Sequence, residues 1–200
     1  MSLFKIMPHS MIGTLYQDDY TKVVKLRLKK NKRLPKHQQE GYNVFIIATD
    51  GRLTAEVNEE QKNSLGPGDF FQLSDNHSFS LLGENQENPF LYFIVPKTQD
   101  LETKVSPGRY LGCCYSDDLI KFMRYQLTSE EPEMILNSPG DELIVLCYAG
   151  EATVTLENSE KKYQYRFMSG DILHFDARQS IKISKKETDA LLLVAHLRLA

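Results

Sequence analysis

The sequence predicts an all-β fold, built as two tandem copies of one barrel-forming module of roughly a hundred residues. Three observations lead there. Residue types recur at one fixed spacing along the 200-residue chain. Glycines fall in step in the two halves. Apolar runs of strand length, each closed by turn residues, follow one another in the same order in both.

The repeat begins at Gly13-Thr-Leu-Tyr16-Gln-Asp18-Asp19, which matches Gly112-Cys-Cys-Tyr115-Ser-Asp117-Asp118 ninety-nine residues later. The same spacing relates Lys22 to Lys121, Lys25 to Arg124, Leu28 to Leu127, Gly41 to Gly140, Gly51 to Gly150 and Thr54 to Thr153. Gly68-Asp69 then matches Gly170-Asp171 at a spacing of 102, which places a three-residue insertion in the second copy's hairpin. The glycines are expected where the backbone turns with positive φ between strands.

The elements follow in order. Val44 to Asp50 and Leu143 to Ala149 are apolar runs of strand length, each ending at a glycine. Alternating strands come next, with Leu53, Ala55 and Val57 in one copy and Ala152, Val154 and Leu156 in the other. After Gly-Asp come Phe70-Phe-Gln-Leu and Ile172-Leu-His-Phe. Phe90 to Val95 and Leu191 to Ala195 close the modules. Asp117 to Leu127 taken alone reads as a capped helix. Its counterpart Asp18 to Leu28 is β-branched and alternates, so both are predicted to be strands. Residues 1–98 form the first predicted module and 111–200 the second. Residues 99–110, polar and containing Pro107-Gly108, form the predicted linker.

Composition narrows the function. The net charge of −3 argues against nucleic acid as a partner. No stretch approaches the ~20 apolar residues of a membrane span, and Met1 to Ser10 has no long apolar run of a signal peptide. Three cysteines, Cys113, Cys114 and Cys147, without a Cys-x-x-Cys pair, fit buried free thiols in a reducing, cytoplasmic setting. The expected partner is a small molecule, bound by a monomer or homodimer.

Two stretches carry a family likeness. Leu34-Pro-Lys-His37-Gln-Gln39-Glu40-Gly-Tyr-Asn43 leads into an apolar strand and Gly51. Leu65-Gly-Pro-Gly68-Asp69 opens a strand that is followed by His77. This order resembles the two motifs of the cupin superfamily, and it covers both halves. The resemblance implies two RmlC-like jelly rolls, double-stranded β-helix barrels, in one polypeptide: a bicupin. Length and layout are also similar to the HutD/Ves group. Cupins include isomerases, dioxygenases, decarboxylases, regulators and storage proteins, so the likeness fixes no activity.

The resemblance implies a metal site of three histidines and a glutamate per barrel. In the first module His37 and His77 match two of these positions, Gln39 stands at the second histidine, and Asn43 falls near the glutamate with Glu40 close by. A set so short of charge holds a divalent transition metal weakly or not at all. The expected metal candidates are therefore His37, Gln39 and His77, and the cofactor is either absent or such a weakly bound ion. In the second module Ile135 to Asn137 replace His37, Gln179 replaces His77, and only Glu142 matches. His174 stands opposite Gln72 in the repeat, and both join His37 and His77 as candidate ligand-binding residues.

The basic stretch Lys29 to Lys36 reads as a solvated loop. The paired carboxylates Asp18-Asp19 and Asp117-Asp118 recur in both copies, which points to turns over catalysis. No nucleophile elbow, phosphate loop or His-Glu-x-x-His is present. Three functions remain: a small-molecule-binding or regulatory protein with degenerate metal sites, a metal-dependent dioxygenase or isomerase working in the first module, and a metal-independent sugar epimerase or isomerase.

Overall fold

The computed structural model describes residues 4–137, 140–157, 162–176 and 180–198. Every described element is a strand. In chain order they are β1 (Phe4–Met7), β2 (Gly13–Gln17), β3 (Lys22–Lys29), β4 (Arg33–His37) and β5 (Tyr42–Ala48). Then come β6 (Leu53–Val57), β7 (Gln61–Leu65), β8 (Phe70–Leu73), β9 (Phe79–Gly83), β10 (Glu87–Pro96) and β11 (Lys104–Ser106). The remainder are β12 (Gly112–Ser116), β13 (Ile120–Leu127), β14 (Glu133–Leu136), β15 (Asp141–Ala149), β16 (Glu151–Glu157), β17 (Lys162–Met168), β18 (Ile172–Asp176), β19 (Ile181–Lys185) and β20 (Ala190–Arg198). The helical reading of 117–127 is excluded, because β13 pairs along its length with β20.

The chain forms two compact units. The first is Met11–Tyr110, and the second joins Leu111–Ala200 to Met1–Ser10. The first unit has a six-stranded sheet, β11-β8-β5-β10-β3-β2, and a four-stranded sheet, β4-β9-β6-β7. The second repeats both orders as β1-β18-β15-β20-β13-β12 and β14-β19-β16-β17. All pairings are antiparallel, as expected for a jelly roll.

These boundaries differ from 1–98, 99–110 and 111–200. The stretch expected to be a linker carries β11, which pairs with β8 as an edge strand of the first unit. The first residues of the chain supply β1, which pairs with β18 in the second. The Gly-Asp turns anchor both arrangements. Asp69 accepts hydrogen bonds from Gly66 N–H and Gly108 N–H at 2.8 and 2.7 Å. Asp171 accepts from Met168 N–H and His9 N–H at 2.9 and 2.7 Å. A carboxylate satisfying two backbone donors ties the incoming segment to the turn.

Each barrel core lies between its two sheets. In the first unit Val44, Ile46, Ala48, Leu53, Ala55, Val57, Phe71, Leu73, Phe79, Leu81, Phe90 and Tyr92 interdigitate. In the second, Leu143, Val145, Cys147, Ala152, Val154, Phe167, Leu173, Phe175, Ile181, Ile183, Leu192 and Val194 do so. Alternate residues of each strand fill the core, as the two-residue strand period requires. Gly51 and Gly150 close the tight turns between β5 and β6 and between β15 and β16 at φ of 69° and 78°. A Cβ there would strike the backbone oxygen of Glu87 or Asp189, so no other residue fits. Asp18 and Asp117 are turn residues. Asp18 accepts from the N–H groups of Tyr20 and Thr21, and Asp117 from those of Leu119 and Ile120.

Candidate functional site

The first unit gathers the expected residues at one end of its barrel. β4 ends at His37, β5 begins at Tyr42, β10 ends at Pro96, and β9 starts just after His77. His37 pairs in register with Phe79, and a bulge between Leu34 and His37 lets the ring turn onto the barrel end. Its ring lies 4.3 Å from that of Phe79.

Both ring nitrogens of His37 are engaged. Nδ1 lies 2.8 Å from the carbonyl oxygen of Pro35, and Nε2 lies 2.9 Å from the Tyr92 hydroxyl. A carbonyl only accepts, so in the neutral ring Nδ1 carries the proton and Nε2 receives the Tyr92 O–H. Burial pushes the Tyr92 phenol up to about 12, so this hydroxyl keeps its proton at neutral pH. Gln39 Nε2 reaches the same hydroxyl at a long 3.5 Å. Tyr92 is 4% exposed and belongs to the core, which makes it the polar cap of an otherwise apolar interior.

His77 sits on the adjoining turn, its N–H donating to the Ser74 carbonyl. Its Nδ1 lies 2.8 Å from the Thr103 hydroxyl, which also accepts from Ser74 N–H. Gln38 donates to the Asp75 carbonyl, joining the two loops. Asp75 itself takes Lys97 at 2.9 Å, an ion pair that holds its carboxyl below the usual range.

Gln72 and Asn43 are placed elsewhere. Phe71 and Leu73 point into the core, so Gln72 between them points to the opposite face of β8, where it donates to the Glu102 carbonyl. Asn43 precedes the core residue Val44 and likewise faces away, donating to Gln99 O at 3.4 Å. In the second unit Glu142 and His174 share that outward face, because Leu143, Leu173 and Phe175 take the inward one. They meet as a pair, His174 Nε2 lying 2.8 Å from Glu142 Oε2. Gln72 and His174, candidate ligand-binding residues by sequence, therefore both lie on the face turned away from the core, apart from His37 and His77. Gln179 lies outside the described residues.

The donor set of the first unit does not fit a tightly held divalent metal. Gln39 and Asn43 carry no charge, Asn43 faces away, and the Nε2 lone pair of His37 is spent on Tyr92. Among the described residues no three His, Cys, Asp or Glu side chains cluster as a metal would need. Beside Phe79 a surface cleft of about 150 Å³ is lined by Arg33, Lys36, Glu56 and Glu59. Its charges pair with one another at 2.7 Å, Arg33 with Glu56 and Lys36 with Glu59. The basic stretch is thus partly strand and locally neutralised. Sequence reasoning missed Tyr92 and Thr103. Both hide in stretches that read as core or linker, and only pairing across 55 and 26 residues reveals them.

No family model and no curated protein matches this chain. Solved structures do. A cupin 2 conserved barrel domain protein from Leptotrichia buccalis is 14% identical, with a TM-score of 0.67 over 98% of this chain and 90% of that one. Protein Ylba from E. coli is 10% identical, with a TM-score of 0.69 over 98% and 92%. Salicylate 1,2-dioxygenase from Pseudoaminobacter salicylatoxidans is 10% identical, with a TM-score of 0.66 over 88% and 68%. Likeness at these identities is a likeness of fold.

Proposed function

We propose, from the premise that this chain has the cupin fold, that it is a small-molecule-binding protein with a degenerate metal centre at the barrel end of its first unit. One observation carries the reading: His37, the best-placed ligand, spends both ring nitrogens on Pro35 and Tyr92. What remains at that end is a hydrogen-bonding set, His37, Gln39, Tyr92 and His77, over an apolar core. Convergent polar groups beside apolar side chains suit a small organic molecule. The identical strand orders of the two units support an origin by internal duplication. Of the three thiols expected to be buried only Cys147 is, Cys114 being half-buried and Cys113 exposed; free thiols at all three fit a reducing, cytoplasmic setting. Among the described residues no helix is long and apolar enough to cross a membrane.

A second reading draws on the same hydrogen bond. Tyr92 and His37 form a proton-donor and acceptor pair at 2.9 Å, the minimum for metal-independent acid–base chemistry of an isomerase type. A metal-dependent enzyme is supported by the salicylate 1,2-dioxygenase neighbour and by an oxalate decarboxylase of Bacillus subtilis described with Mn(II) centres, and the donor set of the first unit disfavours it.

The deciding experiment is elemental analysis and manganese, iron and zinc titration of untagged protein, with the double variant His37→Ala, His77→Ala beside it. Substoichiometric metal, equal in both proteins, is expected. Stoichiometric metal lost on the double substitution overturns the reading.

A further inference from the structure

At the matching end of the second barrel His196, Asp141 and Arg198 stand where the first has Ile94, Tyr42 and Pro96, while Lys121 repeats Lys22. Strand register makes the equivalence unambiguous. Ile94 pairs with Val44 and Lys22 in the first unit, and His196 pairs with Leu143 and Lys121 in the second. Pro96 and Tyr42 are likewise replaced by Arg198 and Asp141. Leu143 and Val194 point into the core, so Asp141 and His196, each two residues away on its strand, face the same side at its rim. Lys121 lies directly opposite His196 and shares that face.

These groups interact. His196 Nδ1 lies 3.5 Å from Asp141 Oδ2, with side chains only 18% and 20% exposed. Burial pushes the imidazole below its usual range, the nearby Lys121 and Arg198 charges add to that, and Asp141 opposes it. The ring is therefore neutral at pH 7. A carboxylate only accepts, so Nδ1 carries the proton and Nε2 is left as an acceptor. Arg198 donates to the Asp117 carbonyl at 2.8 Å, which holds its guanidinium at the rim.

We propose that this rim binds a small hydroxycarboxylic acid, with Lys121 and Arg198 facing the carboxylate and His196 Nε2 accepting the hydroxyl proton. Asp141 is a positioning residue that sets the tautomer. Two cations against one carboxylate leave the rim with one positive charge in excess, which a monoanion balances. A half-buried imidazole whose free nitrogen accepts discriminates a hydroxyl donor from a methylene. The proposal is independent of the first unit, whose histidines are separate reporters.

The test is a titration of full-length protein with lactate and with propionate, following the ring resonances of the histidines by NMR. Lactate should shift His196 saturably. Propionate should bind about tenfold more weakly, and Lys121→Gln should weaken lactate by about tenfold or more. No saturable shift at His196, or lactate binding unchanged in Lys121→Gln, overturns the site. Equal affinity for lactate and propionate removes the role of Nε2. Shifts confined to His37 and His77 overturn this proposal while leaving the first-unit reading standing. His174, paired with Glu142 in the same unit, reports whether the Lys121→Gln protein is folded.

Discussion

At the ends of the two barrels the same strand positions hold different chemistry. The first unit closes on His37, Gln39 and Tyr92, hydrogen-bonded to one another, over Ile94. The second presents His196, Asp141 and Arg198 where the first has Ile94, Tyr42 and Pro96, with Lys121 repeating Lys22. At their turns the units agree closely: Gly51 with Gly150, Asp69 with Asp171, Asp18 with Asp117. Those positions are bound by backbone geometry, by a positive φ or by N–H groups that must be satisfied. A rim residue answers only to what it binds, so a repeated scaffold diverges first at its rims.

The largest test of this contrast lies just beneath the first rim. Phe79 is 1% exposed, belongs to the core and supports the His37 ring. Phe79→Ala should cost about 3–5 kcal/mol by the lost transfer and the cavity left behind. Denaturant unfolding measures it. The His37 resonances should broaden or shift while those of His196 stay in place. A loss below about 1 kcal/mol would mean that the rim and core of the first barrel are not mechanically joined.

The next tests probe the shared part. Asp69→Asn and Asp171→Asn each weaken two charge-assisted hydrogen bonds to backbone N–H. Each should cost about 1.5–3 kcal/mol, and the two losses should agree within about 1 kcal/mol. Unequal losses would break the equivalence of the turns, and with it the claim that the scaffold is shared.

Fold and site were legible to different depths. Turn glycines and apolar runs act locally, so the strands and their order were readable from the residues alone. The edge strands were not. β1 reaches β18, and the Asp171 carboxylate meets His9 across 162 residues, a pairing that no local pattern announces. His37 was legible by its motif. The faces of Gln72 and His174 were not, because Phe70-Phe-Gln-Leu and Ile172-Leu-His-Phe lack clean alternation. Strands buried on both faces give no signal to set which residues point inward. His196, at the end of the apolar run Leu191 to Ala195, was passed over for the same reason.

A smaller effect is expected at the cap itself. Tyr92→Phe removes the O–H that His37 Nε2 receives while leaving the ring in the core. The loss should be about 1 kcal/mol, the usual worth of one hydrogen bond at a site that water can partly reach. The second unit has Val194 at this position, so the reverse change there, Val194→Tyr, places a hydroxyl in a core with no matching acceptor. It should be the more damaging of the two. If Tyr92→Phe leaves the His37 chemical shifts unchanged in NMR, the cap does not exist in solution.

The mildest prediction concerns an exposed pair of equivalent positions, Arg52 and Glu151. Arg52 reaches Ser64 at 3.4 Å, whereas Glu151 takes Arg166 through both carboxylate oxygens at 2.8 and 2.7 Å and Lys186 at 2.7 Å. The Arg166 hydrogen bonds, then Lys186, pull the Glu151 carboxyl down to about 2 from an ordinary 4.5. A group whose folded value is depressed stabilises the protein above its unfolded value and loses that contribution as pH falls through the folded one. Wild type should therefore exceed Glu151→Gln in melting temperature above about pH 4.5, with the gap closing by about pH 2. Salt should narrow the gap, since the pair faces solvent. Arg52→Gln in the first unit should show no such pH dependence. A gap that persists unchanged at pH 2 would show that Glu151 acts through packing rather than charge, and would leave the two hairpins alike where the structure makes them different.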